Sequence, residues 1–401
     1  MKNRDEGMDR RAFLRLGLTG AAAAGLPSVL SAAAPPAKAA EKPVIRRTLG
    51  RTGISLPVVS MGVMNADNPR LVEAALDAGM VHLDTAHRYQ QGRNETMLGE
   101  VLKGRKRDSF VIATKVPGGG MDRSTGLFSA ATSAVEFVNQ FSVSLQRLQM
   151  EYVDILYLHN VSKREAALFE PLLKALETIR KSGRARFVGV TTHANEPEVI
   201  RAAAESRFYD VVLTAYNFRQ DHRDEVRKAI EEAAKAGLGV IVMKTQAGVY
   251  WDKARTRPID MAAALKWSLQ SPAVCTAIPG FTTFDQLKTD AAVLRDLTLT
   301  PADREALAPG GQAGLYCQGC GRCASLCPRG LPLPDAMRGY MYAFGYRNRQ
   351  EARDLLRSLD LPEDPCEGCA ECTARCARGI DVRERLAEVL PLRTVPAAFV
   401  S

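Results

Sequence analysis

Val153-Asp154-Ile155-Leu156-Tyr157-Leu158-His159 is a short run of apolar and β-forming residues that ends on an ionisable side chain. A run of that length suits a strand buried on both faces, the kind found in parallel sheets wrapped by helices. Seven similar runs flank it, at 58–63, 81–84, 110–115, 186–191, 211–216, 239–244 and 275–279. Between them apolar residues recur at three- and four-residue steps. This predicts helices over 69–78, 95–103, 133–148, 165–181, 196–206, 223–236, 259–269 and 283–294. Eight strand–helix units in about 250 residues fit a closed (β/α)8 TIM barrel better than an open sheet. Ahead of the first strand, 45–49 and 54–57 flank Gly50-Arg51-Thr52-Gly53, a hairpin placed to plug the barrel bottom.

Barrels of this kind carry their chemistry at the C-terminal ends of the strands. Asp84 ends the second run, with Tyr89 in the loop beyond it; Lys115 ends the third and His159 the fourth. Ionisable groups finishing three successive apolar strands fit a purely structural role poorly. Asp84 and Lys115 taken alone would also suit a buried ion pair.

Eight of the nine cysteines repeat one spacing. Cys317, Cys320, Cys323 and Cys327 are followed by Pro328, and Cys366, Cys369, Cys372 and Cys376 copy the spacing with Ala377 in place of the proline. C-x2-C-x2-C-x3-C seats a [4Fe–4S] cubane, three thiolates wrapping one cube while the fourth reaches the other. Structural zinc usually pairs two C-x2-C knuckles instead, and disulfides give no reason for the repeat. The reading is two [4Fe–4S] clusters with crossed ligation. Cys317, Cys320 and Cys323 would share one with Cys376, and Cys366, Cys369 and Cys372 the other with Cys327. Cys275, in an apolar stretch, reads as a core residue. Composition shifts at Thr300, so 300–316 reads as a linker and 317–395 as a small α-helical ferredoxin-like domain, with helices at 335–346 and 350–359. Tyr340, Tyr342, Phe344 and Tyr346 read as core packing rather than as an electron path.

Asp9-Arg10-Arg11-Ala12-Phe13-Leu14-Arg15 resembles the twin-arginine export motif. The Ala/Gly-rich apolar run after it is shorter than the roughly twenty residues of a membrane span and suits a signal-peptide core. Small-x-small sites follow at Ala32-Ala33-Ala34 and Ala37-Lys38-Ala39. The expected organisation is a twin-arginine signal over 1–40, a barrel over 41–299, and a periplasmic destination with no stable membrane span after cleavage. That route carries folded cargo, so clusters would cross protected from an oxidising compartment. The net charge of +9 is partly the leader's, whose first 39 residues carry six basic and three acidic side chains. Anionic clusters would lower it further. No Lys/Arg block of the kind that tracks phosphates is present, so nucleic acid is not an expected partner.

Several stretches together resemble the aldo/keto reductases. They are Leu83-Asp84-Thr85-Ala86 with Tyr89, Gly92, Glu95 and Gly99, then Ala113-Thr114-Lys115-Val116, then Asp154-Ile155-Leu156-Tyr157-Leu158-His159. Leu49-Gly50-Arg51-Thr52-Gly53 and Ile278-Pro279-Gly280 extend the likeness over about 250 residues. The resemblance implies a catalytic tetrad of Asp84, Tyr89, Lys115 and His159 and a nicotinamide nucleotide. Its cofactor contacts would fall at Thr191, Thr192, Met243, Lys244, Gly280, Thr282 and Gln286. Here the sequence departs from the family. Thr191-Thr192 stands where a Ser-Asn pair usually holds the carboxamide, and Leu213 where a Gln is usual. Met243 replaces the aromatic that stacks on nicotinamide, and 280–286 offers no cation for an adenosine 2′-phosphate. NAD, NADP and a lost cofactor site are all left as alternatives.

The chemistry of the tetrad follows from its residue types. Hydride arriving at a carbonyl leaves an alkoxide that must be protonated, and a tyrosine with its usual pKa of about 10 needs a neighbouring cation to ease the exchange. The expected function is an exported oxidoreductase acting on a small carbonyl or alcohol, its clusters exchanging electrons with an external redox partner. Hydride moves two electrons while each cubane passes one, and no flavin signature is apparent. The competing reading is a non-catalytic barrel that scaffolds a ferredoxin-like module.

Overall fold

The computed structural model describes residues 42–400 apart from 123, 124, 253, 255, 309–314 and 360. The export signal expected at 1–40 therefore lies outside the described residues. Eight parallel strands follow one another around a sheet in chain order. They are β1 (Met61–Gly62), β2 (His82–Asp84), β3 (Val111–Val116), β4 (Val153–Leu158), β5 (Ala185–Thr192), β6 (Val211–Ala215), β7 (Gly239–Met243) and β8 (Thr276–Ala277). The barrel closes through a parallel bridge between Val59 and Ala277, beside which Ser60 N–H donates to Ala277 O at 2.8 Å.

Alternation along the strands sorts the core into two layers. On β4, Leu156 and Leu158 lie under the helices while Ile155 and Tyr157 point inward; on β7, Val240 and Val242 face out, Ile241 and Met243 in. Leu49 and Leu56, from the hairpin Arg46–Thr48/Ser55–Pro57, fill the inner layer from below. Cys275 is buried in the same inner layer, away from the other thiols. The helix expected over 165–181 is broken into a turn, Arg164–Ala167, and a helix, Glu170–Lys181. Pro171 is the reason: its ring suits only a first helical turn and pushes the chain before it out of helical geometry.

The region read as a linker opens with a short helix, Pro301–Ala306, started by a capping box between Thr300 and Asp303. Beyond it the two cysteine loops copy each other. Gly319 and Gly368 share φ +77°, and Gly330 and Gly379 each donate their N–H to the preceding Cys327 or Cys376 carbonyl at 3.0 Å. Between the loops, the helix Leu333–Tyr340 runs into a π-helical turn, Met341–Gly345, followed by the helix Arg349–Arg357; Val382–Val389 follows the second loop. Pro43–Ser401 forms one compact unit. The cluster-bearing segment packs on the barrel's C-terminal mouth through Asn348–Asn65, Gln318–Asn217 and Arg378–Asp221. No helix among the described residues is long and apolar enough to cross a membrane.

Candidate active site

Asp84, Lys115 and His159 come together because β2, β3 and β4 are neighbours and each ends at the same rim. The Lys115 ammonium forms an ion pair with Asp84 Oδ1 and donates to Thr85 O at 2.6 Å. It also lies 5.0 Å from the centre of the Tyr89 ring, and that ring meets His159 edge-on at 6.0 Å and 80°. Tyr89 begins a tight turn in which Gln90 and Gln91 take φ +51° and +58°. Buried polar bonds hold that turn: Thr85 Oγ1 donates to Asn94 Oδ1 at 2.6 Å, and Asn94 Nδ2 to Val63 O at 2.8 Å. Glu95 sits behind, accepting from Thr114 Oγ1 at 2.6 Å and Arg147 Nη1 at 3.3 Å.

Burial dominates the electrostatics here. It holds the Tyr89 phenol well above its ordinary range, and the Asp84 carboxylate adds to the effect. Burial also pushes Lys115 down and Asp84 up, while each partner opposes the other's shift. Lys115 is thus engaged by Asp84 and a carbonyl, and a second cation, Arg338, also favours the Tyr89 phenolate. That guanidinium comes from the helix Leu333–Tyr340 of the cluster domain. It is buried, paired with Asp335 at 2.6 Å, and 3.5 Å from Asn160 Oδ1 beside His159. Sequence reasoning missed Arg338, whose only local signal is an i,i+3 ion pair on a short helix.

From Asp84 and Tyr89 a cavity of about 560 Å³ runs past Met243 and Lys244 to Gly280, Thr282 and Gln286. Five of the seven expected cofactor residues therefore line one cleft. Thr191 and Thr192 do not: Thr191 Oγ1 accepts from Asn160 N at 2.8 Å, and Thr192 Oγ1 donates to Ala194 O at 2.7 Å. Their hydroxyls shape the loop backbone, and His193 lines the cavity instead. Lys244 is brought to about 7, chiefly by burial and then by Arg338. At the far end Asp290 accepts from Gln246 Nε2 at 3.1 Å, and burial raises it to about 7. An elongated cleft ending beside a proton donor fits a nicotinamide nucleotide. At Gly280 the nearest atom to an added Cβ would be Gly62 O at 3.4 Å, so a ligand can approach the backbone closely there.

The cysteines gather as the crossed pattern requires. Cys320, Cys323 and Cys376 act electrostatically on Cys317, and Cys327 lines one small cavity with Cys366, Cys369 and Cys372. The sulfurs wall a space rather than converge on a point: among the described residues no three His, Cys, Asp or Glu side chains close on one ion. Gly319 N–H donates to Cys317 Sγ at 3.3 Å and Arg378 N–H to Cys376 Sγ at 3.4 Å. Burial pushes the Cys317 thiol up to about 12 and Cys323 to about 11. Thiolates there need a metal to offset desolvation, which iron supplies by coordination. A Cβ on Gly319 would lie 2.6 Å from His193 O, so the first cysteine loop rests directly on the loop after β5.

Comparison with known proteins bears on both halves. The aldo/keto reductase family model matches residues 60–263, and the 4Fe-4S dicluster domain model matches residues 316–381. The oxidoreductase YrpG of Bacillus subtilis is 28% identical over 222 residues, covering 50% of this chain and 66% of YrpG. L-glyceraldehyde 3-phosphate reductase of Escherichia coli K12 is 31% identical over 163 residues, or 37% of this chain and 46% of that enzyme. The chain thus spans two thirds or less of these relatives' length. Among solved structures, the aldo-keto reductase AKR11C1 from Bacillus halodurans (holo form) superposes with a TM-score of 0.54 at 23% identity. It covers 66% of this chain and 95% of its own, a likeness of fold.

Proposed function

Because the chain belongs to the aldo/keto reductase family and bears a 4Fe-4S dicluster domain behind its barrel, we propose that it exchanges hydride between a nicotinamide nucleotide and a small carbonyl or alcohol. The observation that carries this reading is the convergence of Asp84, Tyr89, Lys115 and His159 at one end of a long cleft. Bound nicotinamide would supply the hydride; the chain's own task is to hold the carbonyl oxygen and move a proton. Tyr89, kept protonated by burial, is the donor as the oxygen becomes an alkoxide. His159, edge-on to Tyr89, is the hydrogen-bond partner for the same oxygen. The Lys115–Asp84 pair contributes a fixed cation in a site largely shielded from water, where such preorganised charge acts most strongly. In the alcohol-oxidising direction the Tyr89 phenolate takes the proton, favoured by Arg338.

The two [4Fe–4S] clusters would exchange single electrons with an external redox partner. Export by the twin-arginine route rests on Arg10 and Arg11; replacing both by Lys keeps the charge, removes the guanidinium pair, and should leave the precursor in the cytoplasm. Tyr89→Phe tests the chemistry. It retains the ring and removes the proton, so turnover of a carbonyl panel with NADH or NADPH should fall at least about a hundredfold while nucleotide binding survives. Activity equal to wild type would refute the tetrad. A wild type that binds no nucleotide yet passes electrons through its clusters would favour the scaffold reading.

A further inference from the structure

The cleft has two walls, and they come from different parts of the chain. One is the barrel rim, from Met243 around to Gln286; the other is Tyr342, Tyr346 and Arg347 of the cluster domain. At the two positions where the resemblance puts nucleotide contacts, the barrel wall lacks what they need. Met243 is not a flat ring, and no cation stands within 280–286. Both chemistries are present on the opposite wall.

The π-helical turn Met341–Gly345 is what aims them. Closing with a bond from Tyr346 N to Met341 O at 3.0 Å, it widens the helix by a residue and stacks Tyr346 on Tyr342 at 5.8 Å and 25°. Such turns recur at functional sites. Arg347 then takes φ +56°, an uncommon conformation for a residue with a Cβ. Asn348 fixes it there: its N–H donates to Tyr342 O at 2.9 Å, its side-chain amide to Asn65 Oδ1 at 2.8 Å, and its own Oδ1 caps the next helix. Asn65 belongs to the loop after β1 and lines the same cleft. The Arg347 side chain is exposed to the cleft, with no hydrogen bond or ion pair to any described residue. Backbone strain held in place by neighbours, beside an uncommitted guanidinium, points to a ligand.

We propose that the cluster domain supplies the missing half of the nucleotide site, Tyr346 as the flat wall for the nicotinamide and Arg347 as the cation for the pyrophosphate. The proposal rests on the nicotinamide reading above. It assigns the pyrophosphate rather than a 2′-phosphate because the adjacent Asn348 is tied to Asn65 in the loop after β1, which places Arg347 in the same cleft as Gly280, where the backbone leaves room for a close approach. Asp285 on the facing helix would repel a 2′-phosphate.

The test is equilibrium titration of the full, cluster-loaded protein with NADH, NADPH and ADP-ribose, which keeps the pyrophosphate and lacks the nicotinamide. Arg347→Ala, at an exposed position, should weaken all three by a similar factor of at least about ten, as loss of a charge-assisted contact does. Tyr346→Leu should weaken NADH about threefold to tenfold and leave ADP-ribose within about twofold. Iron content equal to wild type certifies each variant; if Tyr346→Leu loses iron, the Arg347 titrations decide. Unchanged affinities in Arg347→Ala, or a loss confined to NADPH, would overturn the assignment while the proposed function stands. A wild type that binds none of the three ligands would remove the nucleotide reading itself.

Discussion

Tyr89 and Arg338 join the two halves of the molecule at the candidate site, where the guanidinium opposes the larger effect of burial on the phenol. Burial alone would keep Tyr89 a proton donor and a poor acceptor, which suits carbonyl reduction. Lys115, 5.0 Å from the Tyr89 ring, is itself engaged by Asp84 and the Thr85 carbonyl. Arg338 pulls the other way, so removing it should raise the Tyr89 pKa further. The sign then differs by direction of reaction. Alcohol oxidation needs the phenolate, and Arg338→Gln should depress it at alkaline pH, about tenfold for each pKa unit gained. Carbonyl reduction at neutral pH needs the phenol, already protonated, and should change little. Asp335→Asn leaves the guanidinium uncompensated and should act in the opposite sense, aiding oxidation. The kcat values in both directions across pH check this, since the two kcat/KM values at one pH are bound together by the equilibrium constant; kcat lost equally in both directions at every pH would make Arg338 a structural residue only.

At the level of elements, the two cysteine loops are near copies with one informative difference. Gly319 and Gly368 share a positive φ, so Ala at either costs about 1–2 kcal/mol of backbone strain. A Cβ at Gly319 also meets His193 O at 2.6 Å, whereas one at Gly368 meets nothing within 4 Å. Gly319→Ala should therefore displace the first loop and lower iron toward about four atoms per chain, while Gly368→Ala stays near eight. Equal iron in the two variants would show that His193 does not constrain the loop. Within either loop the sequence is legible, because spacing is what a cubane demands. So are the eight strands, whose apolar runs end within a few residues of their observed ends, and the gathering of Asp84, Lys115 and His159 at one rim, which follows from strand order. Contacts between elements distant in the chain were not legible. Arg338, Tyr346 and Arg347 have no periodicity that marks them, and their direction depends on a π turn and a positive φ that local propensity does not favour. That the hydroxyls of Thr191 and Thr192 bond the loop backbone was not legible for a related reason: position at a strand end cannot tell whether a hydroxyl faces the cleft or its own loop.

For the whole molecule, these contacts predict that nucleotide binding at the barrel depends on the cluster segment, whatever the clusters' redox role. The cluster segment has a small apolar core of its own, built around Leu333, Tyr340, Leu356 and Leu386, into or against which six of the eight cysteines pack. A metal whose ligands assemble only in the folded state contributes its binding energy to folding, so removing iron should loosen this segment first. The barrel keeps a separate and larger core closed by its own strands. Loss of iron would withdraw Arg338 from Tyr89, and Tyr342, Tyr346 and Arg347 from the cleft, while leaving Asp84, Lys115 and His159 in place. Anaerobically purified protein should carry about eight irons; after chelation, circular dichroism should retain most of its helix and strand signal. Nucleotide affinity should nevertheless fall by at least about tenfold and return when iron and sulfide are restored. Chelated protein that binds nucleotide as tightly as the loaded form would mean the barrel works alone, with the clusters serving electron exchange and nothing else.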